Sequence, residues 1–445
     1  MNPLTSPLLT DLYQLTMLEA YLREGMEETA VFEFYIRNLP KNRGFLVAAG
    51  LESVLSYLEG LAFTDEEIAW LASTGRFSKQ LLDYLRSVRF TGDAYAMPEG
   101  TIFFENEPLI RVEAPIPLAQ LVETRIINFL HFETSIASKA ARCVLAAGEK
   151  VILVDFGLRR AHGAEAGILA ARASCIAGFS GSATVIAGCL YGIPLFGTMA
   201  HSYIEAYGEE ETAFVAYGRA NPGNVTLLID TYDTIRGAHR AANAALALRK
   251  EGIATLAVRL DSGDFLVLSR EVRKILDGKG LEDVHIFVSG NIDEHAIRNL
   301  LSQGAPVDGF GVGTKLDTSE DAPYLECAYK LVEYAGKPRL KKSRGKATMP
   351  GRKQVFRRFG NGVMTGDTLT VENDPQEGTP LIRKVMEKGI RLAPALSWKD
   401  IATYTKEQYK TLPESLKNLS TDPSCPVRIS SVLLRLREET AAAIS

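Results

Sequence analysis

Between Val151 and Val312 the sequence repeats one pattern six times: a short apolar run rich in Val, Ile and Leu, a polar loop, then a longer segment with helical spacing. The runs are Val151 to Val154, Pro194 to Thr198, Val225 to Ile229, Thr255 to Leu260, His285 to Val288 and Asp308 to Val312, spaced roughly 25 to 45 residues apart. Runs that are apolar throughout predict strands buried on both faces, and such strands are parallel ones covered by helices. The helices are predicted over Gly163 to Ala177, Ile235 to Lys250 (closed by Gly252), Phe265 to Leu276 and Asp293 to Ser302, with an acidic-surfaced helix after Thr198. Six such units fit a barrel or a doubly wound sheet. A doubly wound sheet would gather its site at one switch point. Here polar residues follow every strand, as a shared mouth requires, so the expected fold class is α/β with an irregular, TIM-like parallel barrel.

The flanks lack this rhythm. They mix strands (Ala30 to Ile36, Thr101 to Glu105) with a helix (Gln120 to Phe129), and beyond residue 330 they become basic and Gly/Pro-punctuated before ending in helical segments. A chain of 445 residues is too long for one ordinary core. The expectation is therefore an α+β domain from residues 1–145 and 331–445, with the barrel in 146–330. Fifty basic side chains against 54 acidic ones, a net charge of −4, give no reason to expect nucleic-acid binding. The five cysteines form no CxxC pair, which argues against structural zinc and for reduced thiols in the cytoplasm. The N-terminus does not read as secretory, and no apolar run is long enough for a membrane span.

The strand-following loops are DFGLRR (Asp155–Arg160), GTMAHS (Gly197–Ser202), DTYD (Asp230–Asp233), RLDSGD (Arg259–Asp264), SGNID (Ser289–Asp293) and GFGVGTK (Gly309–Lys315). In parallel βα folds these positions share one ligand mouth. Glycine lets backbone amides approach an anion closely, so two Gly-rich turns at consecutive strand ends point to a phosphate. Either turn alone would be only a tight turn, and neither a Walker A pattern nor GxGxxG is present. Arg159 and Arg160 add a carboxylate- or phosphate-binding pair, and Phe156 beside them suits a flat anionic ring. Asp230, Asp233, Asp261 and Asp264 could accept ribose hydroxyls or hold Mg²⁺ carried by a phosphorylated substrate, with Asp264 better read as a helix N-cap. Among six histidines, His201 stands out as a nucleophile or general base because it follows a strand end, with Ser202 placed to orient it.

In this order and spacing these motifs, extended to GTMAHSYIEAY and LIDTYD, resemble the nicotinate phosphoribosyltransferases. TDLYQLTM (Thr10–Met17) and KKSRGKATMPGRKQV (Lys341–Val355) carry the same likeness, which runs from about residue 8 to about residue 435. The resemblance implies that nicotinate and phosphoribosyl pyrophosphate give nicotinate mononucleotide and pyrophosphate in NAD salvage. It implies ATP as co-substrate, Mg²⁺, and a phosphohistidine at His201. It implies a homodimer with shared sites, in which the partner copy's Tyr13 and this copy's Phe156 sandwich the pyridine ring. Arg259 would bind the nicotinate carboxylate and Arg159 the sugar-phosphate region. Asp230 and Asp261 would hold ribose hydroxyls or Mg²⁺, and Gly290, Gly311 and Gly313 would cradle the 5′-phosphate. Ser202, Thr226 and Thr314 complete the substrate-binding set, while Lys341, Lys342, Lys346 and Lys353 would reach pyrophosphate or ATP. The related amide-using enzyme carries an aspartate in a GTDT stretch; here GSAT (Gly181–Thr184) places Ala183 at that position, which favours an anionic acid over its amide. Competing readings are a nicotinamide or quinolinate phosphoribosyltransferase, or a non-catalytic barrel that binds NAD metabolites.

Overall fold

In the computed structural model, which describes residues 4–343, 348–419 and 425–444, the central repeats form one six-stranded sheet. Its strands are β1 (Ile152–Asp155), β2 (Gly181–Ser182), β3 (Val225–Leu228), β4 (Thr255–Leu260), β5 (His285–Ser289) and β6 (Gly309–Val312). They lie in the order β2-β1-β6-β5-β4-β3, and every neighbouring pair is parallel. The apolar residues of β1 and β3 to β6 are largely buried, as fully apolar runs demand. The sheet belongs to a compact unit of Lys139–Pro323.

One expected strand is corrected. Pro194 to Thr198 is not a strand: it makes a single parallel bridge, Leu195 to Ser182. The second strand is instead Gly181–Ser182, within the stretch read from sequence as a selectivity loop. Pro194 has no N–H for a ladder and Gly197 loosens the chain, so this segment cannot pair continuously. It reaches both edges of the sheet all the same. Ser182 N donates to Pro194 O and Phe196 N to Ser182 O. Thr198 Oγ1 donates to Thr226 O at 2.6 Å and Asn224 Nδ2 to Gly197 O at 3.0 Å, at the β3 edge.

Strands β3, β4 and β5 each hand over to a helix through an aspartate N-cap. Asp233 accepts from Arg236 N, Asp264 from Leu266 N and Val267 N, and Asp293 from Ala296 N. These caps satisfy amides that have no partner within the helix. They start helices at Thr234–Lys250, Phe265–Asp277 and Glu294–Ser302, close to the sequence reading. The cap role weighed for Asp264 is the one observed.

The other unit, Met1–Ser138 with Tyr324–Ser445, draws on both flanks. Its largest sheet has seven strands and is antiparallel throughout, with Thr29–Ile36 between Cys327–Tyr334 and Pro108–Pro115. A four-stranded sheet is built on the hairpin Lys353–Gly360 and Val363–Val371, whose Asn361-Gly362 turn takes positive φ at both residues, the geometry that matches strand twist. Arg357 is buried on Asp367 at 2.6 Å, and Lys353 on Glu33 at 2.6 Å. Among the described residues no helix is long and apolar enough to cross a membrane.

The helix Thr234–Lys250 buries an alanine face and Gly237. A Cβ at Gly237 would lie 2.0 Å from the Ile229 carbonyl oxygen, at the end of β3. Alanine is the better helix former by about 1 kcal/mol. Gly237→Ala is nevertheless expected to destabilise the protein by about 1–3 kcal/mol, since backbone must shift to admit the methyl. Urea unfolding measures this, and a stabilised variant would show that the helix does not sit this close to the strand end.

Candidate active site

The parallel registers align the strand ends. Leu228 pairs with Arg259, Leu260 with Val288, Ser289 with Gly311, Val312 with Asp155, and Asp155 with Ser182. The loops that leave these ends therefore emerge at one level. They enclose a cavity of about 510 Å³, lined by Phe156 and Leu158 to Arg160, Ala183, Gly197 to Ala200, Arg259 and Asp261, Ser289 to Ile292, and Gly311 with Gly313 to Lys315. Residues at or after the ends of β1, β2, β4, β5 and β6 are thus at its wall, while the loop after β3 does not line it and only ties to the Asp261 loop through Asp230.

His201 stands directly behind this wall. It opens the helix His201–Tyr207, next to Ala200, which lines the cavity. Its Nδ1 is 3.1 Å from Thr231 Oγ1, and its Nε2 is 4.0 Å from Asp261 Oδ2. Asp261 in turn accepts from Ser289 Oγ at 2.5 Å. Gly290 follows, with φ of +94° and so close to Asp261 that a Cβ would lie 2.1 Å from the Asp261 carbonyl oxygen. Only glycine meets both demands at little cost. Imidazole, carboxylate and glycine turn are thus contiguous. Asp230 braces them: its Oδ2 accepts from Asp261 N at 3.1 Å and Ser262 Oγ at 2.6 Å. Its Oδ1 is buried with no partner, an acceptor left open to a hydroxyl or to a cation-bound water.

Arg259 is a largely buried cation of the cavity wall. It lies one residue before the end of β4, is 14 % exposed, and has Asp261 Oδ1 at 3.6 Å. Burial lowers its proton affinity, Asp261 and Asp230 raise it, and Arg159 lowers it. Its Nε is buried without a partner. A desolvated guanidinium with an unused donor is suited to a planar carboxylate. The same cavity is lined by Phe156, whose ring is tilted against Phe287 with centroids 6.1 Å apart. The glycines of β6 make room for the two rings: a Cβ at Gly309 would fall 2.3 Å from Phe287, and at Gly311 2.4 Å from Phe156. Gly311 therefore seats the aromatic wall as well as lining the cavity. A Cβ at Gly313 would lie 3.0 Å from the Phe156 carbonyl. Lys315 is tied to Asp293 at 2.7 Å, which links the two Gly-rich turns.

Several expected site residues stand elsewhere. Ser202 is exposed, and the hydroxyl at the imidazole is that of Thr231. Thr226 does not line the cavity; its carbonyl holds Thr198, which does. Lys353 is buried, paired with Glu33 and donating to Met349 O and Gly351 O, so it has no proton left for a phosphate. Lys341 and Lys342 lie in irregular chain of the other unit, and Lys346 falls outside the described residues. Tyr13, expected to act in a partner copy's cavity, is 46 % exposed on the helix Leu12–Arg23 of that unit, its hydroxyl pushed up to about 12 by burial and then by Glu123 and Asp11. Thr314 and Ala183 are at the cavity wall as expected. Thr231 was missed although it sits within DTYD, because a threonine in a polar loop carries no signal of its partner.

Among the described residues there is no group of three or more His, Cys, Asp or Glu that could hold a metal ion. The donor set is two carboxylates, Asp230 and Asp261. That fits a hard divalent cation delivered by a phosphorylated substrate better than a resident metal.

Comparison with known proteins accords with this geometry. Residues 8–131 match the nicotinate phosphoribosyltransferase (NAPRTase) N-terminal domain, and residues 151–362 match the nicotinate phosphoribosyltransferase (NAPRTase) family. A nicotinate phosphoribosyltransferase of Mycobacterium tuberculosis is 46% identical over 98% of this chain and 95% of its own length. One of Bacillus subtilis is 38% identical over 95% and 92%. The crystal structure of human nicotinic acid phosphoribosyltransferase superposes with a TM-score of 0.86 at 29% identity, covering 97% of this chain and 99% of that one. With its motifs, its cavity and these relatives in agreement, the chain belongs to the nicotinate phosphoribosyltransferase family.

Proposed function

We propose that the cavity transfers the 5-phosphoribosyl group from phosphoribosyl pyrophosphate to nicotinate, and that ATP hydrolysis drives the transfer through a phosphoryl group on His201. The observation that carries this reading is the unbroken path from the His201 ring through Asp261 to Gly290, with Arg259 on the same carboxylate. Energy-coupling group and substrate site are one constellation. The six-stranded sheet is read as the hydrogen-bonded part of an irregular barrel, closed across the segment Pro194 to Thr198.

Nicotinate lies on Phe156 with its carboxylate on Arg259, a placement supported by the desolvated, under-partnered guanidinium. The 5′-phosphate sits at Gly290, Gly313 and Thr314, where backbone amides can face it. The pyridine nitrogen then attacks the anomeric carbon as the pyrophosphate bond breaks. The protein's part is to hold the two atoms together and to favour the departing charge. Asp230 and Asp261 would hold Mg²⁺, which supplies charge neutralisation on the pyrophosphate when bound. In the coupling half-reaction Nε2 of His201 takes the γ-phosphoryl group of ATP and ADP leaves; water later releases phosphate. Thr231 holds Nδ1, so the free nitrogen is the one facing Asp261. A phosphoryl group there adds nearly two negative charges beside a carboxylate. That repulsion makes the phosphorylated state bind a cation and the polyphosphate's counter-charges more tightly, and hydrolysis relaxes it. A homodimer in which Tyr13 of a second copy closes the cavity completes the reading. The exposure of Tyr13 supports it, and the proposed use of ATP to make an NAD precursor fits NAD salvage in the cytoplasm.

Two outcomes follow. His201→Ala should lose ATP stimulation and fail to acquire an acid-labile, base-stable label from γ-labelled ATP, while keeping slow ATP-independent transfer. Full ATP coupling in that variant would remove His201 from the scheme. Ala183→Asp places a carboxylate at the cavity wall. It should raise KM for nicotinate roughly 5- to 150-fold, the equivalent of about 1–3 kcal/mol of charge repulsion, and lower KM for nicotinamide. Steady-state assays with both substrates decide this; unchanged preference would take the pyridine substituent away from Ala183.

A further inference from the structure

Asp155 ends β1, immediately before Phe156, and is fully buried. Its Oδ1 accepts from Gly157 N at 2.7 Å and its Oδ2 from Ser182 Oγ at 2.7 Å. Asp317 ends the short helix Thr314–Asp317 and is just as buried. Its carboxyl lies against Gly157 so closely that a Cβ there would come within 2.1 Å of Asp317 Cγ. Both carboxyls thus close on the same residue, Gly157. Neither oxygen of Asp317 has any partner that donates to it.

Two carboxylates cannot hydrogen-bond, since each only accepts. Two buried negative charges in contact are also far costlier than one. A single proton resolves both problems. We propose that Asp155 and Asp317 hold one proton between them, and that this acid–carboxylate hydrogen bond positions Phe156 and Ala183 against the pyridine ring.

The placement of the pair gives it that reach. Asp155 holds the Gly157 turn, which carries Phe156, and the Ser182 hydroxyl, next to Ala183. Ala183 N also donates to the Asp155 carbonyl at 2.8 Å. Asp317 terminates the segment that carries Gly313 and Thr314, and Phe156 N donates to Val312 O just before it. Three stretches of cavity wall meet on one proton. Asp155 already receives two donors, so the proton belongs to Asp317, which donates it. Both carboxyls are raised, Asp317 the more: burial acts first on each, then the charge of Asp155 on Asp317. Lys315 is paired with Asp293, while Arg159 and Arg160 are exposed beyond the turn. The helix Ala164–Ile176 presents Cys175, its thiol pushed up to about 12 by burial and the Asp155 charge, and also buries Arg172.

The sign of the pH effect follows. Proton affinity raised by folding contributes stability that is full at acid pH and is lost as pH rises through the folded-state ionisation. On the alkaline side the pair must part, and the Phe156 wall moves with it.

The inference rests on the cavity being the nicotinate site, so the test has one kinetic arm and one independent of activity. Asp317→Asn keeps an N–H donor toward Asp155 and cannot ionise. It should keep KM for nicotinate within about twofold of wild type at neutral pH and hold it flat into the alkaline range, where wild type rises roughly tenfold, the cost of one pKa unit. Asp317→Ala should raise KM at every pH. Infrared difference spectra of the full-length protein at neutral pH should contain a protonated carboxyl C=O band that Asp317→Asn removes. Persistence of that band in Asp317→Asn, or its absence from wild type, overturns the shared proton. A band that disappears as expected while Asp317→Asn retains the alkaline rise in KM overturns the positioning role instead. If the chain proves to act on another substrate, the infrared arm still decides the proton.

Discussion

The site depends on one constraint: parallel ladders hold β4 in register with both β3 and β5, so Arg259, Asp261 and the Ser289-Gly290 turn are delivered at one level. A strand of a parallel sheet cannot slip by one residue without turning its side chains to the other face. With apolar residues filling both faces, the polar chemistry is expelled to the loops that follow the strands. Asp230, at the end of β3, then ties the Asp261 loop by two hydrogen bonds. The carboxylate facing His201 is therefore set by backbone pairing rather than by a flexible loop.

Electrostatics give the cavity its preference. Arg259 is desolvated, held by Asp261 only at 3.6 Å, and keeps an unused donor. A planar anion can supply what Asp261 leaves unpaired. The same cavity is lined by the Phe156 ring and by Ala183, whose side chain carries no charge. Sharing one proton leaves the buried pair Asp155 and Asp317 with a single negative charge instead of two. On the proposed placement, Asp230 and Asp261 would serve the sugar while Phe156 and Ala183 face the ring.

Much of this was legible in the sequence because the signals were local. Apolar runs gave five of the six strands, with Thr255–Leu260 matching end for end, and aspartates after strands announced N-caps. What failed was long-range. Pro194 to Thr198 looked like a strand by composition, yet Pro194 and Gly197 keep it to one bridge, while the two-residue strand Gly181–Ser182 was too short to register. The glycines of GFGVG read as a phosphate cradle; two of them also clear space for Phe156 and Phe287, packing that no spacing rule encodes. Lys353 read as a phosphate ligand because its neighbourhood is basic, but Glu33, more than 300 positions earlier, buries it. Thr231 and Asp317 were invisible for the same reason: each matters through a partner brought close only by the fold.

The central claim is that one cavity holds a pyridine carboxylate and a sugar phosphate within reach of His201. A crystal structure of the full-length protein with nicotinate mononucleotide tests it most directly. The account predicts the carboxylate on Arg259, the ring on Phe156, and the 5′-phosphate at the Gly290 and Gly313–Thr314 amides. A nucleotide bound with its carboxylate away from Arg259, or its phosphate away from both glycine turns, would contradict it.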